Sequence, residues 1–406
     1  MNLYVFFCLT IKSVGGAQLY IRKKTEYLQE RGWGVKYVYP LDGVLHIKEL
    51  NSIENIRIEE IHLKAQYYSY VNRRNIIDKI SSFIGGTYDK IIIESHSPSL
   101  TSWAELVSKN VGARHLVYNI NEKVKCPNSY FDYYSFKCGR RELKGISKES
   151  IPYFFSDYTH SLDVEDTCLH AYGASDCIHD VSFNIPYTSD NYTIGVVGRL
   201  EKEFAKDTLD EIGVFLNKYK NKLFNIIYVG GELSGHNDIK ERIQKYYREN
   251  HTNVNVFFTG YIFPIPVCLV KSFNVCISGA GASREVSRCN VPTITIDPRT
   301  MIPNGVLWVD TNATIYSDGR NINKESLSHY LEQVYNSPQK YRPDPPMKQG
   351  SFEEHLNILD KCPKDLEYHT KCFEQNTISY FLKRVSTFIL PTSSLLKIGG
   401  FLKRFI

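Results

Sequence analysis

Hydrophobic and polar positions along the chain follow two rhythms that take turns. Leu3–Thr10 is an almost unbroken apolar run, the pattern of a strand buried on both faces of a parallel sheet. After Ser13-Val14-Gly15-Gly16, the positions Ala17, Tyr20, Ile21 and Leu28 recur at helical spacing until Arg31-Gly32 stops them. Val35–Tyr39 reads as a second strand. This predicts a strand–helix–strand unit with a double glycine at its first turn. Ile56–Leu63 alternates, Tyr70–Phe83 is helical, and Tyr88–Glu94 is a buried strand running into Ser95-His96-Ser97-Pro98. Trp103–Lys109 is helical, and the strand His115–Asn119 leads to Asn121 and Glu122.

The next stretch, Lys123–Ser150, is polar, aromatic and basic, with Tyr130, Phe131, Tyr133, Tyr134, Lys137, Arg140, Arg141 and Lys144. It reads as a solvated helical pair, or as a surface for stacking on a sugar or meeting an anionic partner. Phe183–Asn191 reads as a linker. The α/β rhythm then restarts. Strands at Tyr192–Val197, Phe224–Val229, Val254–Phe258 and Val275–Ile277 close on Gly198, Gly230-Gly231, Gly260 and Gly279. Leu209–Tyr219 and Ile239–Tyr247 are helical between them. Val291–Ile296 returns to a strand, Thr311–Ile315 predicts a last one, and Lys324–Tyr335 a helix. In the tail, Ile378, Phe381, Leu382, Val385, Phe388 and Ile389 keep helical spacing up to Pro391. Leu395, Ile398, Leu402 and Phe405 continue an apolar face among Lys397, Lys403 and Arg404, which suits packing on the domains or contact with an anionic membrane surface.

Strands alternating with helices predict open, mostly parallel sheets, whose ligands lie beyond the carboxyl ends of the strands. The candidate residues sit at those ends: Gly15, Gly16, His96, Asn119 and Glu122 in the first half, and Arg199, Gly230, Gly260, Tyr261 and Gly279 in the second. Ser278-Gly279-Ala280-Gly281-Ala282-Ser283 reads as a glycine-rich turn, with Glu285 in the first turn of a helix that follows. Glycines let a backbone approach a ligand closely, and a helix N-terminus favours an anion. A carboxylate there can support the helix start or accept hydrogen bonds from sugar hydroxyls. An ordinary tight turn between strand and helix has the same look. The spacing at Gly15-Gly16 is not the dinucleotide fingerprint G-x-G-x-x-G.

The length, 406 residues, allows two full cores. A formal charge of +5 is mild for that length; it does not argue for nucleic acid, yet permits attraction to an anionic substrate or surface. The ten cysteines form no CxxC pair, which predicts free thiols and a reducing, cytoplasmic compartment. The N-terminal apolar run lacks a basic leader and reads as the first strand rather than a signal peptide. No apolar run reaches the roughly eighteen residues of a membrane span.

In order, several segments resemble motifs of glycosyltransferase family four, whose fold is GT-B. Gly15-Gly16-Ala17-Gln18 with LQERGWGVKYVY resembles the opening of its first domain, and IIIESHSP its strand ending in histidine. TIGVVGRLEKE resembles the G-R-L-x-x-x-K opening of its donor domain, and NVFFTGYI its base-binding segment. SGAGASREVSRCNVPTITID resembles the E-A-x-x-x-G-x-P-V-I segment at the donor ribose. The resemblance covers most of residues 1 to about 340. It implies two Rossmann-like domains facing a cleft: an acceptor-side domain over 1–188 and a nucleotide-sugar domain over 189–345. A helical segment over 346–406 would cross back or lie at a membrane. Arg199 with Lys206 or Lys202 would hold the diphosphate. Tyr261 or its backbone would meet the base, Glu285 the ribose, and the Gly279 turn, with Gly281 and Ser283, the phosphates or sugar. Gly15, Gly16 and His96 would face acceptor and transferred sugar, His96 and Glu285 being the catalytic candidates. The chain departs from the family where Ile277 replaces the first of two paired glutamates and Phe204 replaces a lysine.

The activity so implied is transfer of a sugar from a nucleoside diphosphate donor to a glycan or lipid-linked acceptor in surface polysaccharide assembly, such as a capsule. It needs no metal and no cofactor beyond the donor. Two rivals share the fold: a nucleotide-sugar epimerase, drawing acid/base carboxylates from Glu94, Glu122 or Glu285, and a non-catalytic scaffold.

Overall fold

The computed structural model describes all residues except 122–123, 159–166, 171–175, 186–189, 201–203, 232–237, 298–299, 313, 315–324, 347–351, 375–384, 386, 388–391, 393 and 396–406. The chain divides into two compact units, Met1–Ala174 with Gly350–Ile406, and Ser175–Gln349.

In the first unit the apolar runs become β1 (Leu3–Phe7), β2 (Gly34–Tyr39), β3 (Glu54–Arg57), β4 (Ile91–Ser95), β5 (Arg114–Asn119) and β6 (Leu143–Gly145). They form one parallel sheet in the order β3-β2-β1-β4-β5-β6. Successive side chains on a strand point to opposite faces, so each strand serves two environments. Leu3, Val5 and Phe7 join Val38, Ile93, Val117 and Trp103 in an apolar core. Helices Tyr70–Ile84 and Pro98–Val111 close that face with Ile76, Ile80, Leu100 and Val107. Burying each such side chain contributes about 1.5–3 kcal/mol. Tyr4, Phe6 and Glu94 point the other way, towards helix Gly16–Gln29, where Lys24 meets all three.

The stretch after β5 corrects the prediction of a solvated helical pair. Tyr130, Tyr133 and Tyr134 are core residues, and Lys137 and Lys144 are buried. Lys137 can be buried because its ammonium lies 2.9 Å from Glu105 and 3.0 Å from Glu142. The C-terminal segment adds helices Glu353–Asp360 and Lys371–Glu374 to this unit. Phe373 enters its core, and Arg73 donates to the Phe373 carbonyl at 3.0 Å. Most of the amphipathic tail, including Ile378, Phe381, Leu382, Ile398, Leu402 and Phe405, lies outside the described residues. Among the described residues no helix is long and apolar enough to cross a membrane.

The second unit contains β7 (Ile178–His179), β8 (Tyr192–Val197), β9 (Phe224–Val229), β10 (Val254–Phe258), β11 (Ile265–Pro266), β12 (Val275–Ser278), β13 (Thr293–Ile296) and β14 (Pro303–Val306). β7 and β11 pair separately. The rest form a sheet in the order β10-β9-β8-β12-β13-β14, parallel except for β14. Both large sheets thus step outwards through three strands and then restart beside the first, the Rossmann order. The last strand among the described residues is β14. Of the predicted strand Thr311–Ile315, Thr311 bridges to Leu307, while residues 313 and 315 lie outside the described residues. Pro303 starts β14 because an edge strand tolerates a missing N–H. Ile277 is fully buried in the core of this unit with Ile194, Val196 and Ile294.

Candidate functional site

In a doubly wound sheet the strand order reverses at one place, and the loops there leave in opposite directions and open a crevice. In the second unit this place lies between β8 and β12. The two strand ends are tied together by the Ser278 hydroxyl, which donates to the Val197 carbonyl at 2.8 Å. Gly198 and Arg199 leave β8 here, and Gly279 leaves β12. Arg199 is half-buried.

Next to this place the chain is packed backbone against backbone. The Gly198 N–H donates to the Val229 carbonyl at 3.0 Å, and the Leu200 N–H to the Gly231 carbonyl at 3.1 Å. Gly230 has φ +141°, and a β-carbon on it would stand 2.1 Å from the Gly198 carbonyl oxygen. A β-carbon on Gly231 would fall 2.3 Å from the Tyr261 ring. Gly230 bridges to Gly260, and its N–H donates to the Thr259 hydroxyl at 3.3 Å. The strand-end glycines of β8, β9 and β10 thus hold three loops at one edge of the sheet. Lys206, by contrast, is exposed and lines a cavity of about 400 Å³ with Leu200, Leu209, Ile243 and Tyr246.

The stretch after β12 is less of a turn than the sequence predicts. Helix Ala280–Arg288 begins directly after Gly279, so Gly281 and Ser283 are helical and Glu285 stands in the second turn. Ala280 takes a left-handed φ of +53°, and its N–H donates to the Thr314 carbonyl at 2.9 Å. One helix-end N–H is therefore already satisfied. The Ser283 hydroxyl donates to the Ala280 carbonyl at 2.6 Å, inside the same helical turn. Gly279 is extended, and a β-carbon there would reach 3.0 Å from the Ile296 carbonyl. Glu285 is buried at 7% exposure, with the Arg288 Nε 3.9 Å away. Burial and the Glu285 charge push the Cys177 thiol up to about 12.

In the first unit the reversal lies between β1 and β4. Gly15 precedes the helix after β1, His96 follows β4 directly, and Asn119 ends β5. Neighbouring strands thus bring these three to one edge. Gly16 is exposed, and a β-carbon there would meet nothing within 4 Å. Glu122 lies outside the described residues.

Behind His96 is an ionic network. The Glu94 carboxylate accepts from the Tyr4 and Tyr20 hydroxyls, from the Lys24 ammonium at 2.6 Å and from His96 Nε2 at 2.7 Å. Lys24 also donates to both phenols and faces His355 Nδ1 at 3.2 Å. His355 Nε2 donates to the His170 carbonyl at 2.8 Å, which leaves Nδ1 as the acceptor. Burial alone would raise the Glu94 carboxyl, but Lys24 and His96 outweigh it and hold it far below the usual carboxylate range. Burial and the Lys24 charge push His355 down to about 3. The rings of Phe6, Tyr20 and Tyr118 enclose His96 at centroid distances of 5.8–6.2 Å.

The sequence shows His96 at the end of its strand, but it does not reveal that Lys24, Tyr4, Tyr20 and His355 gather around Glu94 behind it. Two signals were present: a glutamate closing an otherwise apolar strand, and Tyr20 with Lys24 one helical turn apart. Both asked for a buried partner, and neither named one.

No family model matches the chain, and no curated protein matches it in sequence. Solved structures do resemble it in fold. HepE of Anabaena, in complex with UDP and glucose, has a TM-score of 0.56 at 13% identity, covering 84% of this chain and 91% of that one. A glycosyltransferase from Rickettsia africae has a TM-score of 0.56 at 15% identity, covering 92% and 95%. Sucrose-phosphate synthase from Thermosynechococcus elongatus has 0.51 at 14%, covering 84% and 92%. The fold is that of GT-B glycosyltransferases: two Rossmann-like units in one chain.

Proposed function

We propose that the chain is a glycosyltransferase, moving a sugar from a nucleoside diphosphate donor to a hydroxyl of a glycan or lipid-linked acceptor. The observation that carries the reading is the strand reversal in the second unit. There Arg199 directly follows Gly198, the glycine after β8, and the glycine backbone at Gly230 and Gly231 packs closely at the same edge. The similar HepE structure, which holds UDP and glucose, supports the same class of donor.

The chemistry follows from where charge develops. As the glycosidic bond to the diphosphate breaks, negative charge grows on the departing phosphate and the sugar becomes oxocarbenium-like. The Arg199 guanidinium suits the phosphate, being always charged and able to donate in pairs. Lys206, exposed, is the second cation of the reading. Glu285 is assigned to the ribose hydroxyls, and Tyr261 or its backbone to the base. The backbone at Gly230, Gly260 and Gly279 would line the donor, as would Gly281 and Ser283 where the helix begins. His96, Gly15, Gly16, Asn119 and Glu122 are the acceptor-side residues. No metal is needed in principle, because fixed cations and N–H groups can meet the developing charge. We place the activity in surface polysaccharide assembly at the cytoplasmic face of a membrane, with the C-terminal tail as its contact to anionic lipid. Deleting residues 392–406 should then release the protein from anionic liposomes; retention would refute that contact.

Calorimetry with a panel of nucleoside diphosphates and their sugars tests the donor site. Arg199→Ala is expected to weaken binding at least tenfold, and unchanged binding overturns the assignment. The same panel without acceptor should give only slow hydrolysis. Rapid isomerisation of the sugar would indicate an epimerase instead. Glu94, a candidate acid or base of that rival, is enclosed by four donors with no exposed surface.

A further inference from the structure

We propose that Glu94, with Lys24, Tyr4 and Tyr20, holds His96 in the Nε2–H tautomer, so that the ring meets a sugar hydroxyl through the lone pair of Nδ1. The inference rests on the reading of His96 as an acceptor-side residue.

A carboxylate has about four lone-pair positions and nothing to donate. All four at Glu94 are taken: two phenols, one ammonium and His96 Nε2 at 2.7 Å. Because Glu94 can only accept, the proton on this side of the imidazole must sit on Nε2. In the neutral ring that leaves Nδ1 with its lone pair. His96 Nδ1 is buried and has no hydrogen-bond partner among the described residues. Burial has also removed water from this atom, so a ligand hydroxyl that donates to it would supply the missing hydrogen bond.

Lys24 gives the arrangement its direction. Without a cation, a fully buried carboxylate would be driven towards its protonated form, which could donate to the ring and reverse the tautomer. Lys24 at 2.6 Å keeps Glu94 ionised. The three N–H groups of Lys24 are matched by Glu94, Tyr4 and Tyr20, and His355 Nδ1, an acceptor because Nε2 is spent on the His170 carbonyl, faces the same ammonium at 3.2 Å. Three rings stand around the imidazole and limit its rotation. These groups are positioning residues, since they act on a ligand only through His96.

The experiment is long-range ¹H–¹⁵N correlation of the histidine rings in the full-length protein at pH 8, with the His96 signals identified by their loss in His96→Gln. The wild type should show His96 as the Nε2–H tautomer. Glu94→Gln keeps the shape but adds a donor, so the Nδ1–H tautomer should appear. Lys24→Met/Glu94→Leu is the second variant, free of both charges and chosen in case the first folds poorly; its tautomers should mix. Turnover of the best nucleotide sugar from the panel, with its acceptor, should fall about 100-fold in kcat for Glu94→Gln. Donor affinity by calorimetry should stay within twofold. An Nδ1–H tautomer in the wild type, or unaltered tautomer and kcat in both variants, overturns the proposal. The tautomer is read without substrate, so its failure is separable from failure of the transferase reading.

Discussion

The Lys24 ammonium and the Glu94 carboxylate stand 2.6 Å apart, with 1% and 0% of their side chains exposed. Removing one partner of such a pair strands the other in a low dielectric, at a cost of about 3–5 kcal/mol. Lys24→Met is therefore expected to lower unfolding stability of the first unit by that amount in urea titration. Lys24→Met/Glu94→Leu should cost less than the sum of the single changes by at least about 2 kcal/mol. Strict additivity would show that the pair is not coupled.

Acid should weaken the first unit in two stages. His355 has a folded pKa of about 3 against an ordinary 6.5, so the unfolded chain takes up a proton first as pH falls through 6.5. The Glu105 carboxyl is held down to about 2 against an ordinary 4.5, because Lys137 and His115 outweigh its burial. Its contribution is present above 4.5 and lost as pH falls towards 2. Each such group adds a slope of about 1.4 kcal/mol per pH unit. Denaturation midpoints should decline below about pH 6.5 and more steeply below about 4.5. His355→Gln should remove one proton's worth of the upper slope; an unchanged slope would count against this reading of His355.

Gly230 and Gly260 both have positive φ, yet substitution should separate them. Alanine at Gly230 would drive a β-carbon to 2.1 Å from the Gly198 carbonyl, which is backbone and cannot turn aside. At Gly260 a β-carbon meets nothing within 4 Å. Gly260→Ala is expected to cost about 1–2 kcal/mol, the ordinary left-handed penalty. Gly230→Ala should cost clearly more and reduce nucleotide binding as well, because it displaces the turn that carries Arg199. Thermal unfolding and calorimetry on both variants would check the order.

Phe373 lies far along the chain from the core it fills. It packs on Tyr133 at a centroid distance of 4.7 Å and on Tyr130 at 5.0 Å, with no exposed surface. Phe373→Ala should cost about 3–5 kcal/mol through the cavity it leaves. A loss below about 1 kcal/mol in chemical denaturation would mean that the returning segment is not part of this core.

Local patterns foretold much of the fold. The apolar runs at Leu3, Ile91, Tyr192 and Val275 became strands in parallel sheets because a strand covered on both faces has no polar side to show. Turn residues were legible for a similar reason, since the glycines after β8, β9, β10 and β12 stand where the chain reverses. Errors came where neighbours overrode local chemistry. Tyr130–Lys144 looked solvated, and became core once Glu105 and Glu142 supplied partners for Lys137. Ser283 looked like part of a phosphate turn, and the structure places it inside a helix.

The amino-acid sequence by itself determined the alternation of strand and helix and the glycines and Arg199 at strand ends, because these depend on side-chain spacing within a few residues. Only the tertiary structure decided that β8 lies beside β12 and β1 beside β4, which places the two crevices. It alone joined Lys24 to Glu94 across 70 positions and to His355 across 331. An ion becomes stable in a protein interior only when its counter-charge arrives from elsewhere in the chain, and no local pattern records where that partner is.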